Sequence, residues 1–417
     1  MLKFQVTCIV ATLAVLLTSC ESLDKTLNSA DSALKAVNTG TVKGLAQIAT
    51  ADDPNAALKQ AAKQRGEQYK DNPEALIADI RAAKRDFEKL MSFLTGHVGK
   101  TWGEKEVKVP TQTQYVKYTQ NYKSRAVVDF DKGEIMVETL DDRDAKSSLR
   151  NAIVTTLLTP DDPRSVDLFS DQAVTLSNEK QPYLKGLVLD SNNKPITTPE
   201  TAESFAQNLI TTQMQTRSIN VNGKENTSTF VKFAMVSNFS NKQAQKYSDV
   251  VKRFATQHKI SQSLVYAIIR TESNFNPYAV SSAPAYGLMQ LVPTSGGRDA
   301  YRKVKGQDQA PSKEYLFDPA NNIELGTAYL NVLTYNQLEV IQNEVSREYC
   351  VISAYNTGSG NVTKAFSPDR RAAFDAINSA QPSAVYDKLR TNLPYAETRD
   401  YLQKVVGFRK QFVSLAE

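Results

Sequence analysis

The chain has 417 residues, of which 41% are hydrophobic and 23% charged, and its formal net charge is +5. This composition is ordinary for globular proteins, and the length allows two or three domains of about 100–200 residues each. The mild positive charge is compatible with an anionic polymer or a membrane surface. Because no Lys/Arg-rich run is present, we expect no nucleic-acid partner.

Residues 1–19 have the pattern of an export signal. Lys3 is followed by a mostly apolar stretch from Phe4 to Leu17, which is too short to span a membrane. The stretch ends in Leu17-Thr18-Ser19-Cys20, the arrangement of a bacterial lipobox in which Cys20 becomes the lipidated residue. The alternative is a plain secretory peptide with an incidental cysteine.

The three cysteines are Cys8, Cys20 and Cys350. Cys8 leaves with the signal and Cys20 would carry lipid, so the mature chain cannot form an intramolecular disulfide. We expect Cys350 to be a small core residue in an apolar helix.

Residues 20–70 are predicted to be a lipid-anchored helical tether. Their apolar residues recur at spacings of three and four, but over too few heptads to predict a coiled coil. A second helix is expected to begin at Asn72-Pro73 and to end at Gly96, because Pro suits the first helical position and Gly the position after the last.

From about residue 112 the hydrophobic period changes to two, which indicates strands. The chain from 71 to 236 is therefore predicted to be an α+β domain. Its predicted elements are a hairpin of Arg125–Phe130 and Glu134–Leu140, a helix over 144–158, a helix near Glu200–Met214, and a hairpin of Arg217–Val221 and Thr229–Val236. This domain has no phosphate loop and no metal-ligand spacing. His97 and His258 are expected to be structural, and we predict neither a cofactor nor a metal.

Residues 237–243 are polar and are predicted to be a linker. Residues 244–417 are predicted to form an all-α domain. Its expected helices include one from Asp318-Pro319 through Leu333, one around Tyr349–Tyr355 stopped by Gly358, short helices near 371–390 and a long one from about Tyr395.

Val265, Ile268, Ile269 and Glu272 fall at i, i+3, i+4 and i+7, so they share one face of a helix. We expect this helix to be capped by Ser261 and to end near Asn276-Pro277. A carboxyl group that continues an apolar face has a raised pKa, which suits a general acid at neutral pH. The alternative is a Glu that reaches solvent at a fraying helix end.

Several short motifs follow Glu272 in a fixed order. They are Glu272-Ser273 with Asn276-Pro277, Ser281, Gly287-Leu288-Met289-Gln290, Ala354-Tyr355-Asn356 with Gly358 and Gly360, and Glu397-Thr398-Arg399-Asp400-Tyr401. With these motifs, residues from about 245 to 417 resemble the lytic transglycosylases of the lysozyme-like superfamily, specifically the soluble-lytic-transglycosylase catalytic domain. The fold class implied for the whole chain is α+β, with an N-terminal α+β domain followed by an all-α lysozyme-like catalytic domain.

The resemblance implies an enzyme that cleaves the β-1,4 bond between N-acetylmuramic acid and N-acetylglucosamine in peptidoglycan without hydrolysis. In this family one Glu acts first as acid and then as base toward the muramoyl C6 hydroxyl, which attacks C1 and leaves a 1,6-anhydromuramoyl end. The substrate's own hydroxyl then takes the place of water and of a second carboxylate. The next acidic residue after Glu272 is Asp299, so no local partner is evident.

The resemblance also implies roles for individual residues. Glu272 would be the catalytic acid and base, and the substrate-binding residues would be Ser281, Met289, Gln290, Tyr355, Asn356, Glu397 and Tyr401. For Met289, Gln290 and Tyr355 the plainer alternatives are a core methionine, a capping amide and a core tyrosine. For Glu397 the alternative is a solvated ion pair. Ser282, Ala283 and Pro284 stand where many relatives have Pro and Gly, which affects the expected loop shape.

The expected partners are peptidoglycan glycan strands and, through lipid on Cys20, a membrane; family habit favours the periplasmic face of the outer membrane. Protein partners cannot be predicted. Two alternatives remain open: a non-catalytic peptidoglycan-binding lipoprotein, and a hydrolytic goose-type lysozyme. Because every motif lies after Lys242, we also expect residues 242–417 to fold alone and retain cleavage.

Overall fold

The computed structural model describes residues 73–176, 181–281 and 284–413. The predicted signal, tether and lipidation site at Cys20 lie outside these residues. The chain divides into two compact units, Met1–Asp86 and Phe87–Glu417. In the described ranges, no helix is both long enough and apolar enough to cross a membrane.

The first described helix, α1, runs from Pro73 to Trp102. It begins where the sequence predicts, but the predicted end at Gly96 is wrong. Leu94, Val98 and Trp102 continue the apolar stripe one turn at a time and are completely buried, so packing outweighs the helix-weakening effect of one glycine. The helix ends instead at Gly103, which has a φ of 85°, a conformation that glycine adopts without strain.

An antiparallel sheet follows, with strand order β1-β2-β3-β5-β4. Its strands are β1 (Gln114–Thr119), β2 (Ser124–Asp129), β3 (Glu134–Thr139), β4 (Gln215–Val221) and β5 (Lys224–Ala234). Both predicted hairpins are confirmed: β2 pairs with β3, and β4 with β5. Two helices, α2 (Ala145–Leu158) and α3 (Pro199–Gln213), pack beside the sheet. We call residues 87–236 the sheet region.

A buried ionic cluster lies in the sheet region. The guanidinium of Arg125 donates from Nε to Oε1 of Glu138 at 2.7 Å and lies 3.9 Å from the ring centroid of Trp102. Arg217 Nη2 donates to Glu138 Oε2 at 3.0 Å and to Glu106 Oε2 at 2.7 Å. Hydrogen bonds from Arg217, with the charges of both arginines, lower the pKa of Glu106.

Helix α4 (Phe239–Lys246) occupies most of the segment 237–243 that is predicted to be a linker. Although the segment is polar, Ala244 and Gln243 are buried, so one face packs. Phe239 lies against the turn between β2 and β3: a Cβ on Gly133 would come within 2.6 Å of its ring. The chain therefore enters its second half in contact with the sheet region.

Residues 239–413, the helical region, are a packed set of helices as predicted. After α4 they are α5 (Ser248–His258), α6 (Gln262–Ser273), α7 (Gly296–Lys305), α8 (Lys313–Phe317), α9 (Pro319–Val332), α10 (Glu344–Thr357), α11 (Ser359–Lys364), α12 (Arg370–Ser379), α13 (Pro382–Asn392) and α14 (Ala396–Arg409).

Two sequence expectations in the helical region are met. Asp318 caps α9 by accepting a hydrogen bond from Asn321 N at 3.0 Å, and Gly358 follows the last residue of α10 with a φ of 83°. Cys350 in α10 is a free, fully buried thiol, and burial raises its pKa well above the ordinary range. It is the core residue that the sequence predicts.

Candidate functional site

Helix α6 carries Glu272 in its last turn. Its predicted N-cap, Ser261, is correctly placed, although its hydroxyl pairs with that of Ser263 at 2.8 Å rather than capping the helix. The predicted end near Asn276-Pro277 is wrong: the helix ends at Ser273, because Asn274 takes a left-handed conformation with a φ of 49°. α6 packs against α14, so the end of the helix lies inside the helical region.

The Glu272 side chain is buried, with the residue only 8% exposed. Tyr401 of α14 donates its hydroxyl to Oε1 of Glu272 at 2.7 Å. Burial raises the pKa of Glu272 to about 8; the Tyr401 hydrogen bond opposes this rise and the charge of Glu397 adds to it. The carboxyl group is therefore mainly protonated at neutral pH, as the position of Glu272 on the apolar face predicts.

Glu397 and Tyr401 are one turn apart on α14 but have different surroundings. Tyr401 is buried, and burial together with the charge of Glu272 raises its pKa well above the ordinary range. It therefore remains a hydrogen-bond donor. Glu397 is exposed and acts on Glu272 only through its charge.

The Gly287–Gln290 loop is held from both sides. Met289 N donates to Asn322 Oδ1 at 2.7 Å, and Met289 O accepts the Tyr355 hydroxyl at 2.8 Å. The Met289 side chain is completely buried, and a Cβ on Gly326 would come within 2.3 Å of its sulfur. The Met289 side chain therefore packs in the core, and the loop is held through its backbone groups.

Tyr355 lies on the other side of the same loop. Burial, with the charge of Glu272 adding to it, raises the pKa of Tyr355, and its hydroxyl donates to Met289 O. The tyrosine that bonds the Glu272 carboxyl is Tyr401. Tyr355 thus helps to fix the position of the Gly287–Gln290 loop.

Gln290 has a φ of 45° and is buried. Its Nε2 donates to Ala279 O at 3.0 Å and to Gly287 O at 2.9 Å. Its Oε1 is buried and, within the described residues, has no hydrogen-bond partner. Ser281 is half-buried, and its backbone N donates to Ala285 O at 3.3 Å. Ser282 and Ala283, at the departure from the family pattern, lie outside the described residues.

Comparison with known families decides which of the sequence interpretations holds. Residues 80–246 match the model of the membrane-bound lytic murein transglycosylase C N-terminal domain, and residues 249–378 match the transglycosylase SLT domain. A membrane-bound lytic murein transglycosylase C of Yersinia enterocolitica is 43% identical over 339 residues, covering 81% of this chain and 92% of the relative. One of Yersinia pestis is 42% identical over 326 residues, covering 78% and 89%.

The chain belongs to the membrane-bound lytic murein transglycosylase C family.

The similarity to solved structures covers a smaller share of this chain. The 70 kDa soluble lytic transglycosylase of Escherichia coli is 31% identical with a TM-score of 0.30, covering 39% of this chain and 23% of that one. The lytic transglycosylase Slt of Pseudomonas aeruginosa is 28% identical with a TM-score of 0.31, covering 40% and 24%. This chain therefore spans about a quarter of the length of those chains.

In this transglycosylase C family member, two residues near the site were missed by the sequence analysis. Ser273 Oγ donates to Leu288 O at 2.7 Å, which ties the end of α6 to the Gly287–Gln290 loop. Asn322 Nδ2 donates to Tyr286 O and Leu316 O, each at 2.8 Å. The pairing of Ser with Glu272 in sequence was a usable indication for Ser273; nothing near Asn322 in the sequence indicates its contacts.

Asn356 joins two helices of the site. Its Oδ1 accepts the hydroxyl of Thr398 at 2.6 Å, so the end of α10 is connected to α14 next to Tyr401. Within the described ranges, no group of three or more His, Cys, Asp or Glu residues is arranged to hold a metal ion.

Proposed function

We propose that this chain is a lytic transglycosylase that cleaves the β-1,4 bond between N-acetylmuramic acid and N-acetylglucosamine in peptidoglycan without hydrolysis. The observation that carries the proposal is the buried carboxyl group of Glu272, which receives a tyrosine hydrogen bond and whose pKa is raised by burial, in a chain of the transglycosylase C family. A carboxylic acid that keeps its proton at neutral pH can protonate a glycosidic oxygen.

In the first step, Glu272 donates its proton to the bridging oxygen as the bond from the muramoyl C1 to that oxygen breaks. In the second, the Glu272 carboxylate removes the proton of the C6 hydroxyl, whose oxygen forms a bond to C1. The proton returns to Glu272 and no water is consumed. Tyr401 holds Oε1 in place through both steps, and the attack is intramolecular, which supplies the proximity that a second carboxylate would otherwise provide.

The remaining predicted residues are assigned as substrate contacts or supports. Gln290 Oε1 is buried and has no hydrogen-bond partner among the described residues; we assign it as an acceptor for a sugar N–H or hydroxyl, since a buried acceptor without a partner is costly. Ser281, which is half-buried, would contact the acetamido group. Asn356 and Tyr355 support the loop and α14, and the exposed Glu397 borders the site.

The proposed enzyme is anchored by lipid on Cys20 at the periplasmic face of the outer membrane. The lipobox pattern and the membrane-bound name of the relatives support this. Because a single acyl chain binds membranes only marginally, stable attachment requires more than one. Cys20→Ser should release the protein into the soluble fraction with its activity intact; an unchanged membrane fraction would contradict the anchor.

The products test the reaction. Purified peptidoglycan is digested with the protein, and the masses of the fragments are determined by mass spectrometry. We expect 1,6-anhydromuramoyl fragments, lighter by one water than those that a lysozyme releases. Fragments with full reducing ends would instead identify a hydrolytic goose-type lysozyme. Binding without any new ends would identify a non-catalytic peptidoglycan-binding lipoprotein.

A further inference from the structure

The chain directly after Glu272 is held in an unusual backbone conformation. Asn274 and Phe275 have φ values of 49° and 61°, so two consecutive non-glycine residues are left-handed. Such residues are strained, and they persist only where their surroundings enforce the conformation. The ring of Phe275 is completely buried, which fixes one of the two.

Contacts with the sheet region fix the conformation of the other residue, Asn274. Asn274 is 1% exposed, and its Nδ2 donates to Phe130 O and, at 2.9 Å, to Asp131 Oδ1. Both acceptors lie in the turn between β2 and β3. The Asn274 Oδ1 accepts a hydrogen bond from Arg270 of α6. One side chain therefore connects the end of the Glu272 helix to a turn more than a hundred residues earlier in the chain.

The same pattern continues at alternate residues. Asn276 Nδ2 donates to Gln112 O at 3.1 Å, and Val280 N donates to Thr111 O at 3.4 Å. The Tyr278 hydroxyl donates to Pro160 O. Residues 274, 276, 278 and 280 therefore each hold the segment 274–280 against the sheet region.

Aromatic packing reinforces this edge. The ring of Tyr278 is completely buried and meets Tyr115 and Tyr183 edge-on, with centroids 4.9 and 5.2 Å away. Both partners belong to the sheet region. Such pairs contribute beyond the area they bury, so the position of Tyr278 is determined by residues outside the helical region.

The segment also bonds to the loop that carries the predicted substrate-binding residues. Ala279 O accepts hydrogen bonds from Gln290 Nε2 at 3.0 Å and from Gly287 N at 3.1 Å, and Ser281 ends the segment. Moving segment 274–280 would move the Gln290 side chain, the Gly287–Gln290 loop and Ser281 relative to Glu272. Displacements of about 1 Å at reacting groups can reduce turnover about 100-fold.

We propose that the sheet region is a positioning part of the active site: through Asn274 and Tyr278 it fixes the segment that joins Glu272 to Ser281. This rests on the proposed transglycosylase function. It also replaces the expectation that residues 242–417 suffice for cleavage, because four residues of the segment form hydrogen bonds with residues before 237.

The test uses the full chain and measures kcat and KM on soluble peptidoglycan glycan strands, well below each variant's melting temperature. Asn274→Asp keeps the acceptor for Arg270 but removes the donor to Phe130 and Asp131. Tyr278→Phe removes only the hydroxyl that bonds Pro160. We expect kcat to fall about tenfold or more in each, with KM changed by no more than about twofold.

Rescue separates positioning from loss of stability. In the double variant Asn274→Asp with Asp131→Asn, the new amide at 131 can donate to the new carboxylate at 274, which re-forms one inter-region hydrogen bond. We expect the double variant to recover most of the lost kcat. The single change Asp131→Asn keeps an acceptor oxygen and should leave kcat close to that of the wild type.

A matched control breaks the interface elsewhere. Arg164 Nη1 of the sheet region pairs with Asp318 Oδ2 of the helical region at 3.2 Å, and neither residue belongs to segment 274–280. Arg164→Gln should leave kcat unchanged. Wild-type kcat in both Asn274→Asp and Tyr278→Phe overturns the proposal, as does a loss that follows the unfolded fraction and is not rescued. Failure of the wild type to form 1,6-anhydromuramoyl ends would instead contradict the proposed function itself.

Discussion

Two buried glutamates in this protein have opposite surroundings. Glu138 in the sheet region is 1% exposed and meets Arg125, Arg217 and the hydroxyl of Ser228 at 2.7, 3.0 and 3.0 Å. Glu272 in the helical region is 8% exposed, and its carboxyl receives a tyrosine hydroxyl at 2.7 Å.

The comparison shows how the partner of a buried carboxyl group determines the role of that group. Removing a carboxylate from water is costly unless a cation or several hydrogen bonds compensate. At Glu138 two guanidinium groups compensate, and the residue serves as part of the structure. At Glu272 the compensation is a neutral hydroxyl, so burial raises its pKa to about 8 and the group keeps a proton that it can transfer.

The largest expected effect is on activity, with Glu272→Gln. Glutamine has the same size and accepts the Tyr401 hydrogen bond, but it cannot transfer a proton. A general acid or base contributes about 10²–10⁴-fold, and here one residue supplies both, so the formation of anhydro ends should fall to background. Glycan binding should persist, since Ser281 and Gln290 are untouched. Substantial cleavage by this variant would show that Glu272 is not the acid.

The matched change in the sheet region, Glu138→Gln, should affect stability instead. It removes the carboxylate that Arg125 Nε bonds and leaves only that of Glu106, 3.4 Å from Arg125 Nη2; breaking a buried pair costs up to about 3–5 kcal/mol. Urea unfolding of both variants measures the difference. We expect kcat of the folded Glu138→Gln protein to match the wild type. A stable Glu138→Gln protein would mean that the two sites do not differ as described.

A smaller effect is a pH dependence of stability. The folded protein holds a proton on Glu272 up to about pH 8, whereas an ordinary glutamate, with a pKa near 4.5, releases it earlier. Between these values the folded state binds more protons, so this contribution is complete below pH 4.5 and is lost as the pH rises toward 8. Relative to Glu272→Gln, the wild type should lose up to about 1.4 kcal/mol of unfolding free energy per pH unit. Parallel curves for the two proteins would contradict the raised pKa.

The sequence predicted the elements of this fold well where local patterns decide. Both hairpins follow from alternating apolar residues and a Gly-containing turn, and α9 follows from Asp318-Pro319. The end of α1 was missed because Leu94, Val98 and Trp102 pack against distant residues, which outweighs Gly96. The helix at 239–246 was missed because its local composition is polar and its stability comes from tertiary contacts.

In the site, too, local patterns predicted some features, whereas others depend on tertiary contacts. The raised pKa of Glu272 could be inferred from its place on an apolar helix face, and Tyr401 from a motif. That Tyr401 rather than Tyr355 bonds the carboxyl depends on how α14 crosses α6, which no local pattern states. The contacts of Asn274 and Tyr278 join residues far apart in sequence, so they required the structure.

The buried thiol of Cys350 can report local opening of the helical region around α10. Because it is fully buried and its pKa is raised, a thiol reagent can reach it only when the packing around α10 opens. The labelling rate of Cys350, followed by peptide mapping, would report how often that helix separates from the core. Tyr355 is on the same helix. The same measurement, repeated with and without bound glycan strands, would therefore show whether glycan binding slows the opening of α10 beside the Gly287–Gln290 loop.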